Sequence, residues 1–261
     1  MRPVLRGFLF WFGVAGDAAP PPRSGRQPRP SLRGFLFTAG LLALTAFSLR
    51  AQEVQKHGLV FEQWVRDTFF DGYRPESYTQ KWDIPATANQ RHGHVPVNPK
   101  ATKYGTPVDL GDALRQIKIT EPFLLVIGYW QQDGDTKRIV NIVAPTITPA
   151  LWQKLWAPVT LADLERLDAV IKDRSLTPAQ AREQAQAIKH APPFSQSVIE
   201  VNPKIDSKDQ RRLQFSLRFA DVFKHLAPGA DSGARENPAL WGVAYLGPID
   251  SKPRQLKGAP R

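Results

Sequence analysis

The chain has 261 residues, of which 42% are apolar and 10% aromatic, so it can build a hydrophobic core and a wholly disordered protein is excluded. It has no cysteine, which excludes disulfide bridges and zinc-thiolate sites. The net charge of +11 is uneven, because residues 1–51 hold seven arginines and one acid while residues 52–261 carry only +5. This mildly basic body permits a polyanionic partner but does not require one, since solubility alone also explains such a charge.

Residues 1–51 are predicted to be a leader outside the folded domain. Residues 31–51 have the pattern of a secretory signal, with Arg33 before the apolar run Phe35–Phe47 and a small residue, Ala51, where cleavage would occur. A permanent membrane helix needs roughly 20 apolar residues, and this run is shorter. We therefore expect a secreted or periplasmic protein with no stable membrane span after signal cleavage. A buried helix is the alternative, but it would show regularly spaced polar positions.

Residues 1–30 fit poorly in front of such a signal. They contain a second copy of the hexapeptide LRGFLF, which begins at Leu5 and again at Leu32, followed by a stretch rich in proline and arginine. Since a signal normally starts close to its charged residue, a start of translation near Leu32 stays open.

Residues 52–226 are predicted to form a single α/β or α+β domain, with helices packed on a mixed central sheet. Residues 227–261 are predicted to be a mostly irregular tail, with a strand candidate at Leu240–Leu246. Periodicity, caps and turn signals predict these elements in chain order: a helix at His57–Phe70, strands at Tyr78–Pro85 and Val95–Lys100, a short helix within Thr106–Gln116, a hairpin of Pro122–Gln132 and Lys137–Ala144, helices at Thr148–Trp156, Thr160–Arg174 and Thr177–His190, a strand at Val198–Val201 and a helix at Leu213–Leu226.

Three charged side chains in the first half of the domain suggest chemistry. Glu62 lies on the first helical pattern, Asp83 at the end of a short apolar run, and Lys100 at the end of the next one. Carboxylates can hold Mg²⁺, and a lysine beside them can orient water or stabilise a pentavalent phosphate. Taken singly, each residue is also explained as a turn acid, a surface lysine or a solvated helix position.

These residues carry a resemblance to a known family. A helix glutamate in FEQWV, an aspartate in KWDIP and a lysine in VPVNPK, followed by LGDALRQ and an apolar hairpin, resemble the PD-(D/E)xK nuclease superfamily. The likeness is greatest to its type II restriction-endonuclease-like branch. It implies an αβββαβ core in which the acids meet the lysine where two strands splay apart. It also implies catalytic roles for Glu62, Asp83 and Lys100, and Mg²⁺ as the cofactor.

The chain departs from the family pattern at Asn98, where the family usually has a second acid. Strand alternation puts this side chain on the same face as Lys100, and an amide can offer a metal only a neutral oxygen. The metal ligands implied by the resemblance are thus Glu62, Asp83 and Asn98. Pro99 is a second departure, because a proline fits only an edge strand or a bulge.

The tetrapeptide VNPK recurs at Val201–Lys204, where it precedes a basic run. We expect Lys204, Lys208, Arg211 and Arg212 to contact nucleic-acid phosphates, with the solvated face of a helix as the alternative. The pair His92 and His94 could bind metal if it lay on a strand, but a polar loop is the favoured interpretation.

The sequence thus predicts an exported, Mg²⁺-dependent endodeoxyribonuclease-like protein that hydrolyses or binds DNA. The alternative is a non-catalytic exported protein on the same scaffold that recognises a polyanion or a protein partner. A convergence of Glu62, Asp83 and Lys100 at one point would favour the enzyme.

Overall fold

Two β-sheets and the helices packed on them make up the part of the chain that the computed structural model describes, residues 58–75, 80–206 and 210–250. The predicted leader and signal, residues 1–51, lie outside this part. The helices are α1 (58–69), α2 (Ala113–Gln116), α3 (Pro149–Trp156), α4 (Leu161–Lys172), α5 (Pro178–Lys189) and α6 (Phe219–Asp221), which continues as a π-helical turn, Val222–Leu226. The strands are β1 (Val97–Lys103), β2 (Val108–Asp112), β3 (Phe123–Asp133), β4 (Thr136–Val143), β5 (Thr146–Ile147), β6 (Glu200–Ile205), β7 (Arg211–Leu217), β8 (Ala239–Leu240), β9 (Val243–Ala244) and β10 (Ile249–Asp250).

The central sheet is mixed. Its strand order is β1-β3-β4-β10, with β1 parallel to β3, β4 antiparallel to β3, and β5 paired with the start of β3. A second, antiparallel sheet has the order β2-β7-β6, and β8 and β9 form a small hairpin. The predicted class, mixed α and β with flanking helices, is confirmed at this level. No helix in the described residues is long and apolar enough to cross a membrane.

The central strand β3 explains why the sequence has an unbroken apolar run at this point. Phe123, Leu125 and Ile127 pack into the larger core, which includes the second sheet and α3 to α5, whereas Leu124 and Val126 pack on the other face with α1. A strand buried on both faces is apolar at every position instead of alternating.

The predicted hairpin and the helices after it are confirmed. β3 and β4 are joined by the turn at Gly134 and Asp135, between the two predicted strands. Helices α3, α4 and α5 each begin after a threonine whose side chain accepts a hydrogen bond from the third helical residue: Thr148, Thr160 and Thr177. Such caps satisfy amide groups that have no partner inside the helix.

Three other predicted elements differ from the structure in whole or in part. The strand predicted at Tyr78–Pro85 is reduced, in its described part, to one antiparallel bridge between Ile84 and Val97. Thr106–Gln116 contains the predicted short helix, but only after Asp112, and its first half is the strand β2. Asp109 instead accepts a hydrogen bond from the Gly111 amide in a bulged part of the strand.

The helix predicted at Leu213–Leu226 is a strand in its first half, β7, which pairs with β6 and β2. The buried residues Leu213, Phe215 and Leu217 recur with a period of two, which is the spacing of a strand with one buried face. The helical part begins only at Phe219. In the predicted tail, β8, β9 and β10 are short strands, and β10 pairs with the start of β4.

Helix α1 packs closely against the central sheet at a glycine. The ring of Phe61, which is fully buried, lies over Gly128 of β3, and a Cβ built at Gly128 would be 2.5–2.8 Å from three atoms of this ring. The residue paired with Gly128 on β1 is the small Ala101. These two small residues allow α1, and with it Glu62, to approach β1.

We expect Gly128→Ala to destabilise the protein by about 1–3 kcal/mol, because the added methyl group overpacks a ring that cannot leave the core. Thermal melts would measure the loss. The control is the same substitution in a Phe61→Leu background, where the smaller side chain should make Gly128→Ala less costly. Equal losses in both backgrounds would contradict this account of the contact.

Candidate active site

The candidate site begins with a single antiparallel bridge at the outer edge of the central sheet. Ile84 and Val97 exchange both backbone hydrogen bonds, at N–O distances of 3.1 and 2.8 Å. Beyond Val97, no described strand pairs with this side of β1. The bridge therefore brings Asp83 next to Asn98, near the open edge of β1.

Alternation along β1 separates the polar residues from the apolar ones. Val97 and Ala101 pack on the face that α1 covers, so Asn98 and Lys100 point to the opposite face. Because Val97 directs its backbone groups to the outer edge, Pro99 does the same two residues later. The amide donor that proline lacks would therefore face the open edge, which explains how β1 accommodates it.

Asp83 and Lys100 form an ion pair. The Lys100 Nζ donates to Asp83 Oδ2 over 3.0 Å, and both side chains are only partly exposed. The two residues come from opposite ends of the segment that the bridge closes, 17 positions apart in sequence. The structure thus brings together the acid and the lysine that the sequence singled out.

Glu62 lies on α1, which covers the other face of β1. Burial raises the pKa of Glu62 above its usual 4.5, the positive charge of Lys100 lowers it, the negative charge of Asp83 raises it, and Arg66 lowers it, with a net upward shift. An Arg66 guanidinium nitrogen lies 3.9 Å from Glu62 Oε2. The charges of Asp83 and Lys100 thus affect Glu62, but no hydrogen bond or ion pair in the described residues joins it to either of them.

Asn98 lies within this group but makes incomplete contacts. It is 6% exposed, and its Oδ1 has no hydrogen-bond partner among the described residues. A buried carbonyl oxygen without a partner carries a desolvation cost that most native structures avoid. Such an oxygen could accept a hydrogen bond from a ligand, or bind a cation that the ligand supplies.

Arg66 is the residue that sequence reasoning missed. Its side chain is only 12% exposed, and its Nε is buried with no hydrogen-bond partner in the part of the chain that the structure describes. The available signal was the spacing of four residues from Glu62, which places the two side chains on one face of α1. With Glu62 ionised, the four charged groups Glu62, Asp83, Lys100 and Arg66 sum to zero.

The site offers few ligands for a metal. No group of three or more histidine or acidic side chains in the described ranges is arranged to hold a metal. Mg²⁺ usually binds one or two carboxylates and completes its shell with water and substrate phosphates. Of the three predicted ligands, Asp83 and Asn98 lie side by side at the edge of β1, and Glu62 lies on α1.

The predicted phosphate-binding residues are not together on a helix. Lys204 and Arg212 lie opposite each other on β6 and β7, and Lys208 lies outside the described residues. Arg211 points the other way and donates to the carbonyl oxygens of Ile171, Asp173 and Leu176, at 2.9–3.2 Å. The structure thus uses Arg211 to close the end of α4, and leaves Lys204 and Arg212 as a pair on the polar face of the second sheet.

A cavity of about 290 Å³ lies away from this cluster, between β4 and residues 229–239. None of Glu62, Asp83, Asn98 or Lys100 lines it. Asn141 in its wall donates to the carbonyl oxygens of Asp231 and Gly233, so the side chain serves to hold this segment against β4. The cavity brings together no acid–lysine pair, and the candidate site remains the edge of β1.

No protein-family model, curated protein or solved structure matches the chain. The function is therefore inferred from the geometry of the site.

We expect the stability of Glu62→Gln to rise relative to the parent protein as the pH increases from about 4 to 8. A carboxyl whose pKa is higher in the folded protein than in the unfolded chain favours folding when protonated, and this contribution is lost as the pH rises through the folded-state pKa. Thermal melts across this range would measure the difference. Glu165→Gln, at an exposed position of α4, controls for loss of a surface carboxylate; a Glu62→Gln difference that is constant or falls with pH would refute the assignment.

We expect Arg211→Ala to destabilise the protein by about 1–3 kcal/mol, because it removes a charged donor from three carbonyl groups. Lys204→Ala, on the neighbouring strand, is the matched control and should change the thermal midpoint little. If Arg211→Ala melts like the parent protein, the three hydrogen bonds do not stabilise the end of α4.

Proposed function

We propose that the chain is an exported, Mg²⁺-dependent phosphodiesterase that acts on DNA and has a restriction-endonuclease-like core. The observation that supports this proposal most directly is the 3.0 Å contact between Lys100 and Asp83, whose charges also affect the pKa of the partly buried Glu62. An acid, a second acid and a lysine held at one edge are the groups that metal-assisted phosphodiester hydrolysis uses. Export rests on the pattern of residues 31–51 alone.

The order of elements supports the proposed core in part. Helix α1 precedes the bridge at Ile84, the lysine-bearing β1 follows, and α2 lies in the connection to β3, which is parallel to β1. This order agrees with the last three elements of an αβββαβ arrangement and with its first helix. Two features differ: the strand after Asp83 is a single bridge, and β2, inserted before α2, belongs to the second sheet.

Each residue of the cluster has a proposed role. Glu62, Asp83 and the Asn98 amide oxygen would hold Mg²⁺, which when bound lowers the pKa of water and neutralises charge on the phosphate. Lys100 is an ammonium donor that can orient the attacking water or donate to a phosphate oxygen as negative charge develops. In the resting cluster Lys100 neutralises Asp83, and a phosphate would compete with Asp83 for this ammonium group.

A second candidate function is supported by Asn98. The charges of the cluster already balance without a metal, and an amide stands where a further acid would demand one. On this account Asp83–Lys100 and Glu62–Arg66 are structural ion pairs, and the protein binds a polyanion or another protein without catalysis. The two functions differ in what a carboxylate at position 98 would do.

We expect the purified protein to nick supercoiled plasmid in Mg²⁺ or Mn²⁺ but not in EDTA, and Asn98→Asp to increase both nicking and Mg²⁺ affinity. The new carboxylate leaves the cluster with one net negative charge, and hard cations prefer carboxylate to amide oxygen. Asp83→Ala and Lys100→Ala should each reduce the rate by about 10²-fold or more. Gel assays and calorimetry would measure the two effects.

Lys103→Ala is the matched control, because Lys103 is an exposed lysine on the same strand, and it should nick like the parent protein. Thermal melts must first establish that each variant folds, since a carboxylate at position 98 also repels Asp83. If Asn98→Asp folds normally but neither binds Mg²⁺ nor nicks DNA, the catalytic proposal fails and the binding function is favoured.

A further inference from the structure

A partly exposed pair of stacked rings lies at the turn of the small β8–β9 hairpin. Trp241, in the turn between β8 and β9, lies flat on His92, with ring centroids 3.6 Å apart and planes 12° from parallel. Trp241 is 39% exposed, which is high for a large aromatic side chain. We call these two rings the Trp241–His92 stack.

The outer face of Trp241 is not covered by its aromatic neighbours. The centroid of Phe69 is 4.9 Å from Trp241 and 5.8 Å from His92, with planes nearly perpendicular to both rings. The ring centroids of Trp241 and His92 are 3.6 Å apart. The three centroids therefore form a triangle whose angle at Trp241 is nearly a right angle. Phe69 thus lies at the rim of the tryptophan ring, and Phe70, 6.3 Å from Trp241 and 5.8 Å from His92, is also on the His92 side of it.

The backbone holds Trp241 in an unusual conformation. Trp241 and Gly242 are the two residues of a hairpin turn, with φ of +48° and +84°. Such a turn strongly favours asparagine, aspartate or glycine at its first position, and a bulky side chain is rare there. The ring is therefore presented at a position where local backbone preference would select a smaller residue.

His92 is also held in place. Asn89 is fully buried, its amide donates to the carbonyl oxygens of His92 and Val95, and its Oδ1 accepts from the His92 amide. These three hydrogen bonds fix the loop that carries the lower ring of the stack. A platform whose rings are fixed before binding loses little conformational entropy when a ligand stacks on it.

The stack is connected to the candidate site through two segments. Helix α1 carries Glu62 near its start and Phe69 at its end, roughly 10 Å apart along the helix axis at 1.5 Å per residue. The segment from Asp83 to Asn98 contains His92, next to the exposed cation Arg91. The stack therefore lies on the same two chain segments as the candidate site.

We infer that the outer face of Trp241 binds an unpaired nucleobase by stacking, so that the protein takes single-stranded or locally unpaired nucleic acid. The inference about substrate rests on the proposed phosphodiesterase function, but the stacking itself does not. Aromatic side chains bind bases of any sequence in this way, because every base has a flat face. A base inside a duplex already has both faces stacked and is not available to Trp241.

The test measures binding of the full chain to labelled oligonucleotides by fluorescence anisotropy, in EDTA so that no cleavage occurs. The probes are a 12-nucleotide oligo(dT), an abasic oligomer of the same length and charge, and a blunt DNA duplex. The variant is Trp241→Asn, because asparagine suits the left-handed turn and keeps the hairpin folded while it removes the ring. Leu246→Ala is the control, since Leu246 is 80% exposed nearby and has no stacked partner in the described residues.

We expect the parent protein to bind oligo(dT) more tightly than the abasic oligomer, and Trp241→Asn to lose about tenfold in affinity for oligo(dT) alone. The dependence of log affinity on log salt should keep its slope, because stacking releases no counterions. Leu246→Ala should bind like the parent protein. Equal affinity of the parent for oligo(dT) and the abasic oligomer, or unchanged oligo(dT) binding by Trp241→Asn, overturns the inference.

The same experiment separates this inference from the catalytic proposal. Stacking on oligo(dT) by a protein that fails to nick DNA keeps the base-binding site and removes the nuclease. If Trp241→Asn still nicks DNA and its affinity for oligo(dT) is unchanged, the nuclease stands and the base-binding site is removed. Binding of a neutral oligosaccharide that depends on Trp241, with no binding of oligo(dT), would assign the ring to a sugar and overturn the inference.

Discussion

The candidate site depends on two backbone hydrogen bonds between Ile84 and Val97. They form the only bridge in the described residues between the Asp83 segment and the central sheet. Without them, the loss of conformational entropy on ordering Asp83 would have to be offset by its ion pair with Lys100 and by the neighbouring Trp82, which packs on Phe123 and donates to Glu121. A partly exposed ion pair usually contributes about 0–1 kcal/mol. The bridge and the packing of Trp82, more than the ion pair, therefore determine the position of Asp83.

The charges of the cluster nearly cancel, but some of its polar groups remain in unfavourable surroundings. Burial opposes the charge of Glu62, while Arg66 and Lys100 favour it. Two polar atoms, Asn98 Oδ1 and Arg66 Nε, are buried and find no hydrogen-bond partner within residues 58–75, 80–206 and 210–250. Each such atom costs roughly 1–3 kcal/mol, and proteins retain these costs mainly where a ligand, an ion or a water molecule completes the contacts. A phosphate with its cation offers both an acceptor for Arg66 and a cation for Asn98.

Local patterns predicted the elements that are stabilised locally. The threonine caps of α3, α4 and α5 and the turn between β3 and β4 are read from a few neighbouring residues, and each was predicted close to its observed position. The segment Leu213–Leu217 was misassigned because apolar residues also recur further on, and this longer run has a helical spacing. Its pairing with β2, about a hundred residues earlier, stabilises it as a strand. Non-local pairing of this kind leaves little signal in a single sequence.

The same distinction applies to the site. Glu62, Asp83 and Lys100 could be selected from residue type and order, and the structure joins two of them, Asp83 and Lys100, in an ion pair. Arg66 and Trp241 could not, because their importance comes from burial and from contacts with distant segments. In the sequence, Arg66 looks like an ordinary i,i+4 partner of Glu62, and Trp241 lies in a region with no periodic pattern. Arg211 shows the opposite error: its position in a basic run suggested a phosphate contact, while its hydrogen bonds close a helix end.

The proline of each VNPK tetrapeptide lies on an edge strand, Pro99 on β1 and Pro203 on β6. An exposed edge with a complete row of amide and carbonyl groups is a template on which another chain can add a strand, and such addition leads to aggregation. A proline in the middle of the row interrupts it, because it has no amide hydrogen to donate. The edge beside Lys100 can therefore remain open to solvent without recruiting a second copy of the protein into a continuous sheet.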